Sequence, residues 1–304
     1  MSVISIQTKK LSELDEINAA SDDALIVVSE SGITKSITKA NLLAALSTLE
    51  TGVSTLETNV TSISDVLEIF NADGAGPHNA ICYMGNLGTE VTDDQLLAIS
   101  DGTFSGIYPG CYWTLNGTKY YVGGCNYYYN CGDTNFATNH LLMFPATYLY
   151  SAQMNSSATT EGAYVGSEMY TTNLADAITT ISTDFGDNLL THRIHLKTAV
   201  TSGYVSAGSW YDSQVDLMNE VMVYGSNIYS AGNSLGTTIP NLYTAEKSQI
   251  PLFQHRHDLI GIRTTWWLRD VVSATDFATV GSNGYAHYFT ATYSRGVRPA
   301  FCIG

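Results

Sequence analysis

Apolar residues recur at Leu42, Leu46, Leu49, Val53, Leu56, Val60, Ile63, Leu67 and Phe70, in alternating steps of four and three. A 3.5-residue period held over about four heptads predicts a left-handed, parallel coiled coil across 42–70. A helix packed on its own domain would instead follow 3.6 residues per turn. The near-identical segments STLETGV and STLETNV show the period without any hydropathy scale. Val at one core position and Leu at the other are compatible with a dimer. Glu50 and Glu57 face Gly52 and Asn59 across the flanks, so no interchain ion pair is specified. Ser and Thr fill the outer positions and form helix only moderately well. The helix therefore needs neighbours, and copies of the chain would supply them.

Before the heptads, Ala24–Ser29 and Ile33–Ile37 read as two strands around a turn at Glu30-Ser31-Gly32. Ile4 and Ile6 alternate with polar residues ahead of this hairpin, and LSELDEINAA reads as turn-like. Thr38 is placed to cap a helix starting at Lys39. Residues 1–41 are too few for a substantial core of their own. The stretch 71–77, NADGAGP, is rich in helix breakers and reads as a linker to a larger domain over 78–304.

In that domain VTDDQLLAIS predicts a short helix with Thr92 and Gln95 as a capping box. Asn116-Gly117 between two aromatic runs predicts a hairpin. NLADAITTISTDFG and DSQVDLMNEVMVYG read as helices, and THRIHLKTAV as a strand. WWLRD at 266–270 reads as a buried strand. Turns at Ser282-Asn283-Gly284 and near Ser294-Arg295-Gly296 predict two or three antiparallel strands closing the chain. Strands and helices mix without a βαβ rhythm, so the fold class is α+β, without a parallel nucleotide-binding sheet.

Charge narrows the partners. The formal net charge is −15, and only 13 Lys and Arg are scattered over 304 residues. No basic stripe exists for a phosphate backbone, which argues against nucleic acid. The acidity argues equally against charge-driven adhesion to anionic lipid. No apolar run reaches 18 residues, so no membrane insertion is expected. The opening MSVISIQTKKLSELDE lacks the apolar core of a secretory leader. Five cysteines, at 82, 111, 125, 131 and 302, are odd in number and irregular in spacing. They read as reduced, mainly buried thiols of a protein made in a cytoplasm. Twenty Tyr stand among many Gly, Ser, Thr and Asn. That composition suits either a surface that binds by contact or a β-rich core with Tyr in strands.

Candidate chemistry is sparse. Asp212, Asp216 and Glu220, four apart on the expected helix, would share a face, as a glycan hydrolase or a merely solvated surface would have it. His192, His195, His255 and His257 lack the spacing of a converging metal set. Asp133, Asn135 and Asn139 could contribute oxygen ligands to calcium. No P-loop, dinucleotide fingerprint, nucleophile elbow or zinc-protease motif is present. A non-enzymatic protein without cofactor is the expectation.

Two stretches carry resemblances. Lys10, Leu11, Ser12, Glu13 and Leu14, then Asp23, Leu25, Ile26, Val27 and Val28, then Gly32, Thr34, Lys35, Ile37, Thr38 and Leu42 form a pattern. It resembles the N-terminal attachment segment of phage tail and head fibres. Trp266, Trp267, Leu268 and Arg269, followed by Gly296, Val297, Arg298, Pro299 and Ala300, resemble the ending of C-type-lectin-like domains. Those domains include the variable proteins of diversity-generating retroelements. GTF through GCYWTLNG (102–117) and WYDSQVDLMNEVMVYG (210–225) fit the same type.

The resemblances imply a phage fibre made in the bacterial cytoplasm and carried on the virion. Its N-terminal β-hairpin unit would dock on a capsid or tail protein. The coiled coil would join a homotrimer, a number that comes from the family alone. The C-terminal C-type-lectin-like domain would bind a bacterial surface glycan or protein. In such domains the interval between the two anchors lines the binding face. Here that interval supplies Asp276, Phe277, Thr279, Ser282, Asn283, Tyr285, His287, Tyr288, Phe289, Thr292 and Tyr293. Strand alternation would turn outward either Tyr285, His287 and Phe289 or Ala286, Tyr288 and Thr290. The competing readings are a fibre-borne glycan hydrolase and a head-decorating fibre with no specific ligand.

Overall fold

The computed structural model describes residues 21–30, 33–70, 72–230 and 248–304. The expectations at Ile4, Ile6, 10–20, Ser31, Gly32 and Asn71 lie outside these residues. The chain mixes helix and sheet in the α+β manner. Its contacts divide it into two compact units, Met1–Ile69 and Phe70–Gly304.

In the first unit, β1 (Leu25–Glu30) and β2 (Ile33–Thr38) pair antiparallel, with Val27 opposite Ser36. Helix α1 runs from Lys39 to Phe70. Thr38 Oγ1 accepts from the Asn41 N–H at 3.2 Å, the expected cap. The Lys39 N–H donates to Ala24 O at 3.0 Å, so the strand also satisfies a first-turn donor. Hydroxyls along the helix are absorbed locally. Thr48, Thr51, Thr55, Thr58, Thr61 and Ser62 each donate to the carbonyl four residues back. The apolar seam is not absorbed: Leu49, Val53, Leu56, Val60, Ile63 and Leu67 are each more than half exposed in the single chain.

The second unit begins with helix α2 (Ala75–Asn79), so the stretch expected to be a plain linker already turns helical at Ala75. Pro77 causes no break, because the first turn of a helix has no use for its missing N–H. Strand β3 (Asn86–Gly88) and helix α3 (Asp93–Ser100) follow. The capping box is present: Thr92 Oγ1 accepts from the Gln95 N–H, and Gln95 Oε1 accepts from the Thr92 N–H at 3.0 Å. The same Gln95 oxygen accepts from the Trp113 indole at 3.1 Å, tying the cap to the core.

Next come β4 (Tyr112–Leu115), β5 (Thr118–Cys125), β6 (Leu141–Pro145) and β7 (Tyr150–Ala152). Asn116 and Gly117 make the tight turn between β4 and β5, both with positive φ, as a two-residue hairpin demands. Helix α4 (Ala175–Phe185), β8 (Leu189–Leu190), β9 (His192–Thr201) and β10 (Tyr204–Ser213) follow. Then come β11 (Val215–Leu217), α5 (Glu220–Tyr224) and α6 (Pro251–His255). The chain ends with β12 (Trp266–Val271), β13 (Asp276–Val280), β14 (Ala286–Thr290), β15 (Arg295–Val297) and β16 (Pro299–Ile303).

One sheet runs β11-β16-β6-β5-β4-β3, with β8 also on β16; another runs β14-β13-β12-β15-β7; β9 and β10 form a separate long hairpin. Three expectations change. The helix over DSQVDLMNEVMVYG is replaced by strand through Leu217, because Val215, Asp216 and Leu217 pair with Phe301, Ala300 and Pro299. Helix begins only after Asn219, whose side chain accepts from the Met222 N–H at 2.7 Å. The last turn lies at Ala291–Tyr293, not around Gly296, since Arg295–Val297 pairs antiparallel with β7 and parallel with β12. After β12 the closing strands number four rather than two or three, and they are shared between two sheets.

Gly296 sits where a Cβ would come within 2.8 Å of Tyr148 Cβ and 3.2 Å of Trp266 Cβ. Arg298 stands at the crossing from one sheet to the other and is fully buried. Its Nε donates to Pro145 O at 2.9 Å, and its two Nη donate to Leu259 O at 3.1 Å and Ala146 O at 3.2 Å. The guanidinium carbon lies 5.0 Å from the Phe144 ring and 5.1 Å from the Trp266 ring. All five cysteines are free thiols and four are buried; burial pushes the Cys111, Cys125 and Cys302 thiols upward and keeps them protonated.

Candidate functional site

Strand β12 is buried along its whole length, and β13 beside it is buried from Phe277 to Val280. Strand β14 is therefore the outermost strand of its sheet, and its side chains are the first to reach the surface. Register sets which do so. Phe277 lies opposite Phe289, Ala278 opposite Tyr288 and Thr279 opposite His287.

Phe277 and Thr279, expected on the binding face, are fully buried, because β13 has a paired strand on either side and cover on both faces. They support the site from beneath. Asp276 is half-buried and also turns inward on the structure. Its carboxylate accepts from Ser273 Oγ at 2.7 Å and Thr290 Oγ1 at 2.8 Å, clamping the far end of the β13–β14 pair. Asn283 and Thr292 are exposed in the turns at the two ends of β14, and Ser282 is half-buried.

The remaining residues come together. Tyr285, Tyr288 and Tyr293 are 53%, 41% and 51% exposed. The His287 and Phe289 rings stack at 4.8 Å between centroids. Tyr285 meets His287 edge-on at 5.7 Å, and Tyr293 meets Phe289 at 5.4 Å. Tyr288 leans the other way, onto Tyr229 at 5.0 Å. Both alternating sets thus reach the surface, since an edge strand has less to cover it on either face.

Two neighbours escaped the sequence reading. Arg295 places its guanidinium carbon 3.9 Å from the Phe289 ring and 5.1 Å from the Tyr293 ring. It is the lone Lys or Arg between Asp276 and Arg295, a signal that was available. Tyr229 had no such signal, because its position depends on Glu220. That carboxylate is fully buried and accepts from the N–H groups of Ile228, Tyr229 and Ser230 at 2.9, 3.0 and 2.9 Å, and from Ser230 Oγ at 2.7 Å. Glu220→Gln puts an NH2 group against these donors. It should lower stability by on the order of 3 kcal/mol and speed amide exchange at Ile228–Ser230. Parent-like exchange there would show that the carboxylate does not hold the loop.

The other candidates separate. Asp212 lies on β10, exposed, and pairs with Arg193 at 3.1 Å; Asp216 is buried on β11; Glu220 holds the loop just described. They share no helix face, and the paired-carboxylate arrangement is absent. Asp133 is bound by Arg193 at 2.6 Å, which holds its carboxyl below its ordinary range. Asn139 is engaged with Asn126 and Ser100, so these side chains do not converge on a cation. His255 faces Asn79 O at 3.0 Å, while Arg256 pairs with Asp258 at 2.7 Å. Among the described residues no group of three or more His, Cys, Asp or Glu is placed to hold a metal ion, and no helix is long and apolar enough to cross a membrane.

Residues 218–304, which carry β12 to β16 and the aromatic cluster, match a family model described as a domain of unknown function, DUF6273. No curated protein and no solved structure matches the chain.

Proposed function

We propose that the chain is a phage fibre or receptor-binding protein that recognises a bacterial surface ligand through the aromatic cluster of β14. The observation that carries this reading is the concentration of partly exposed Tyr, His and Phe on one edge strand, over a rigid buried sheet. Large rings of this kind gain contact area at small entropic cost. The resemblance of the two anchors around this strand to C-type-lectin-like domains supports the same reading, as does the fibre-like pattern near the N-terminus.

The exposed seam of α1 supports self-association. An apolar stripe at heptad spacing is buried when helices from several copies pack in parallel as a coiled coil. A trimer would present three recognition faces, and weak sites presented together gain avidity. The N-terminal hairpin would be held by a capsid or tail protein of the virion.

The test is adsorption of the full chain to host cells, with Tyr285, Tyr288 and Tyr293 changed together to Ser. The parent should bind saturably, and the substituted chain should lose at least tenfold while melting at the parent's temperature. A stem variant, Leu56→Asp with Val60→Asp, should sediment as a monomer and adsorb more weakly. Adsorption untouched by the tyrosine changes would remove recognition from β14 and favour a decorating fibre.

A further inference from the structure

Arg295 is held in an unusual state of under-satisfaction. Its Nε is buried and has no hydrogen-bond partner. Among the described residues, Nη1 alone of its donors has a protein acceptor, Ser294 O, at 3.3 Å. Among the described residues no carboxylate lies within ion-pair distance, although the chain carries 28 Asp and Glu against 13 Lys and Arg. Arg193 and Arg256, both at the surface, have found acidic partners. Arg295 instead lies over Phe289 at 3.9 Å, within a cluster whose outer members are Tyr285 and Tyr293. Stacking on a ring orients the guanidinium plane and strips part of its water while leaving the charge uncompensated.

Resting on the proposed receptor-binding role, we infer that the β14 face takes a sugar bearing a carboxylate, with the Arg295 guanidinium receiving the carboxylate and exposed tyrosines receiving the ring. The charge calls for an anion. The planar fork of Arg matches the planar carboxylate with two parallel N–H···O bonds, a match that a tetrahedral phosphate fits less selectively. The aromatic neighbours call for a ligand with apolar C–H faces and hydroxyls. Tyr285 and Tyr293 offer a ring for the one and a phenol for the other. A uronic acid unit of a bacterial surface polysaccharide has all three features. The net charge of −15 repels any polyanion at long range. Recognition must then come from the local contact and be measured at one ionic strength.

The experiment titrates the full chain calorimetrically with an oligoglucuronate, and with a neutral oligoglucose of equal length. The parent should bind the acidic oligomer at least tenfold tighter than the neutral one. Arg295→Gln should weaken acidic binding at least tenfold, and Arg295→Lys, which keeps charge but loses the fork, should fall between. Equal affinity for the two sugars would overturn the inference. So would unchanged acidic binding by an Arg295→Gln chain that melts like the parent, or tighter binding of a glycerol-phosphate polymer. Host adsorption separates the two levels. Dependence on the tyrosines but not on Arg295 overturns the carboxylate assignment and leaves the receptor-binding role standing. Independence from both overturns both.

Discussion

Replacing Arg298 by Met should destabilise the C-terminal unit by on the order of 4 kcal/mol, more than any surface change in this chain. The guanidinium is fully buried and donates to three carbonyls, from Pro145, Ala146 and Leu259. Met keeps an unbranched apolar stem but falls short of the guanidinium and leaves those three acceptors unpaired in a closed core. Each unmet buried acceptor costs about 1–3 kcal/mol. Among the described residues the cation has no carboxylate in ion-pair distance; burial pulls its pKa below the ordinary arginine value. The carbonyls and the rings of Phe144, Phe253 and Trp266 keep it charged. Because Phe144 belongs to β6 and Trp266 to β12, the loss should loosen both sheets at once. Lys at this position keeps the charge without the fork and should recover only part of the stability. Equilibrium denaturation of the full chain measures this. A midpoint for Arg298→Met equivalent to a loss under about 1 kcal/mol would mean that the carbonyls find other donors.

The second large effect is acid sensitivity. His192 is buried against the Tyr128 ring at 4.2 Å, and among the described residues neither of its ring nitrogens has a hydrogen-bond partner. Burial, then the nearby His140 and Arg269, pull its pKa down to about 3. His140 accepts the Tyr128 N–H at its Nε2, and burial pulls it down to about 4. Both imidazoles are therefore neutral in the folded chain, while the unfolded chain protonates near 6.5. The unfolded state binds more protons between these values. Stability is thus full above about pH 6.5 and falls as pH drops toward 4. At about 1.4 kcal/mol per pH unit for each group, the combined loss by pH 4 is on the order of 5 kcal/mol. His192→Phe keeps the ring stack and removes the titrating group. It should be at least as stable as the parent at pH 7, with a visibly flatter fall in melting temperature from pH 6.5 to 4.5. Identical slopes for the two chains would show that His192 does not titrate on unfolding.

These two sites mark how far local reading reached. The Thr38 cap, the Thr92–Gln95 box and the Asn116-Gly117 turn are written in neighbouring residues, and each forms as its side-chain chemistry dictates. The heptad spacing likewise predicts a long helix, and the helix runs unbroken through Phe70. The helix expected over 212–225 failed because its apolar spacing suits a helix while Phe301 and Ala300, more than eighty residues away, offer a strand to pair with. Nothing near Asp216 in the chain announces that offer.

The candidate site was legible as an interval and illegible as a surface. Tyr285, His287, Tyr288, Phe289 and Tyr293 fall on or beside β14 and gather there, but Phe277 and Thr279 on β13 do not reach solvent. An alternating pattern says which residues share a face, and only the neighbouring strand says whether that face is covered. Arg295 and Tyr229 join the cluster through a ring stack and a carboxylate-held loop, contacts made across sequence. Residue type and spacing alone determined the long helix 39–70 and its Thr38 cap, the Thr92–Gln95 box, the Asn116-Gly117 turn and the buried character of 266–270, because those depend on interactions within a few residues. Packing decided which aromatics are displayed, why Arg298 is buried against three carbonyls and why Glu220 holds a loop, because burial is a property of what lies above a residue and not of the residue itself.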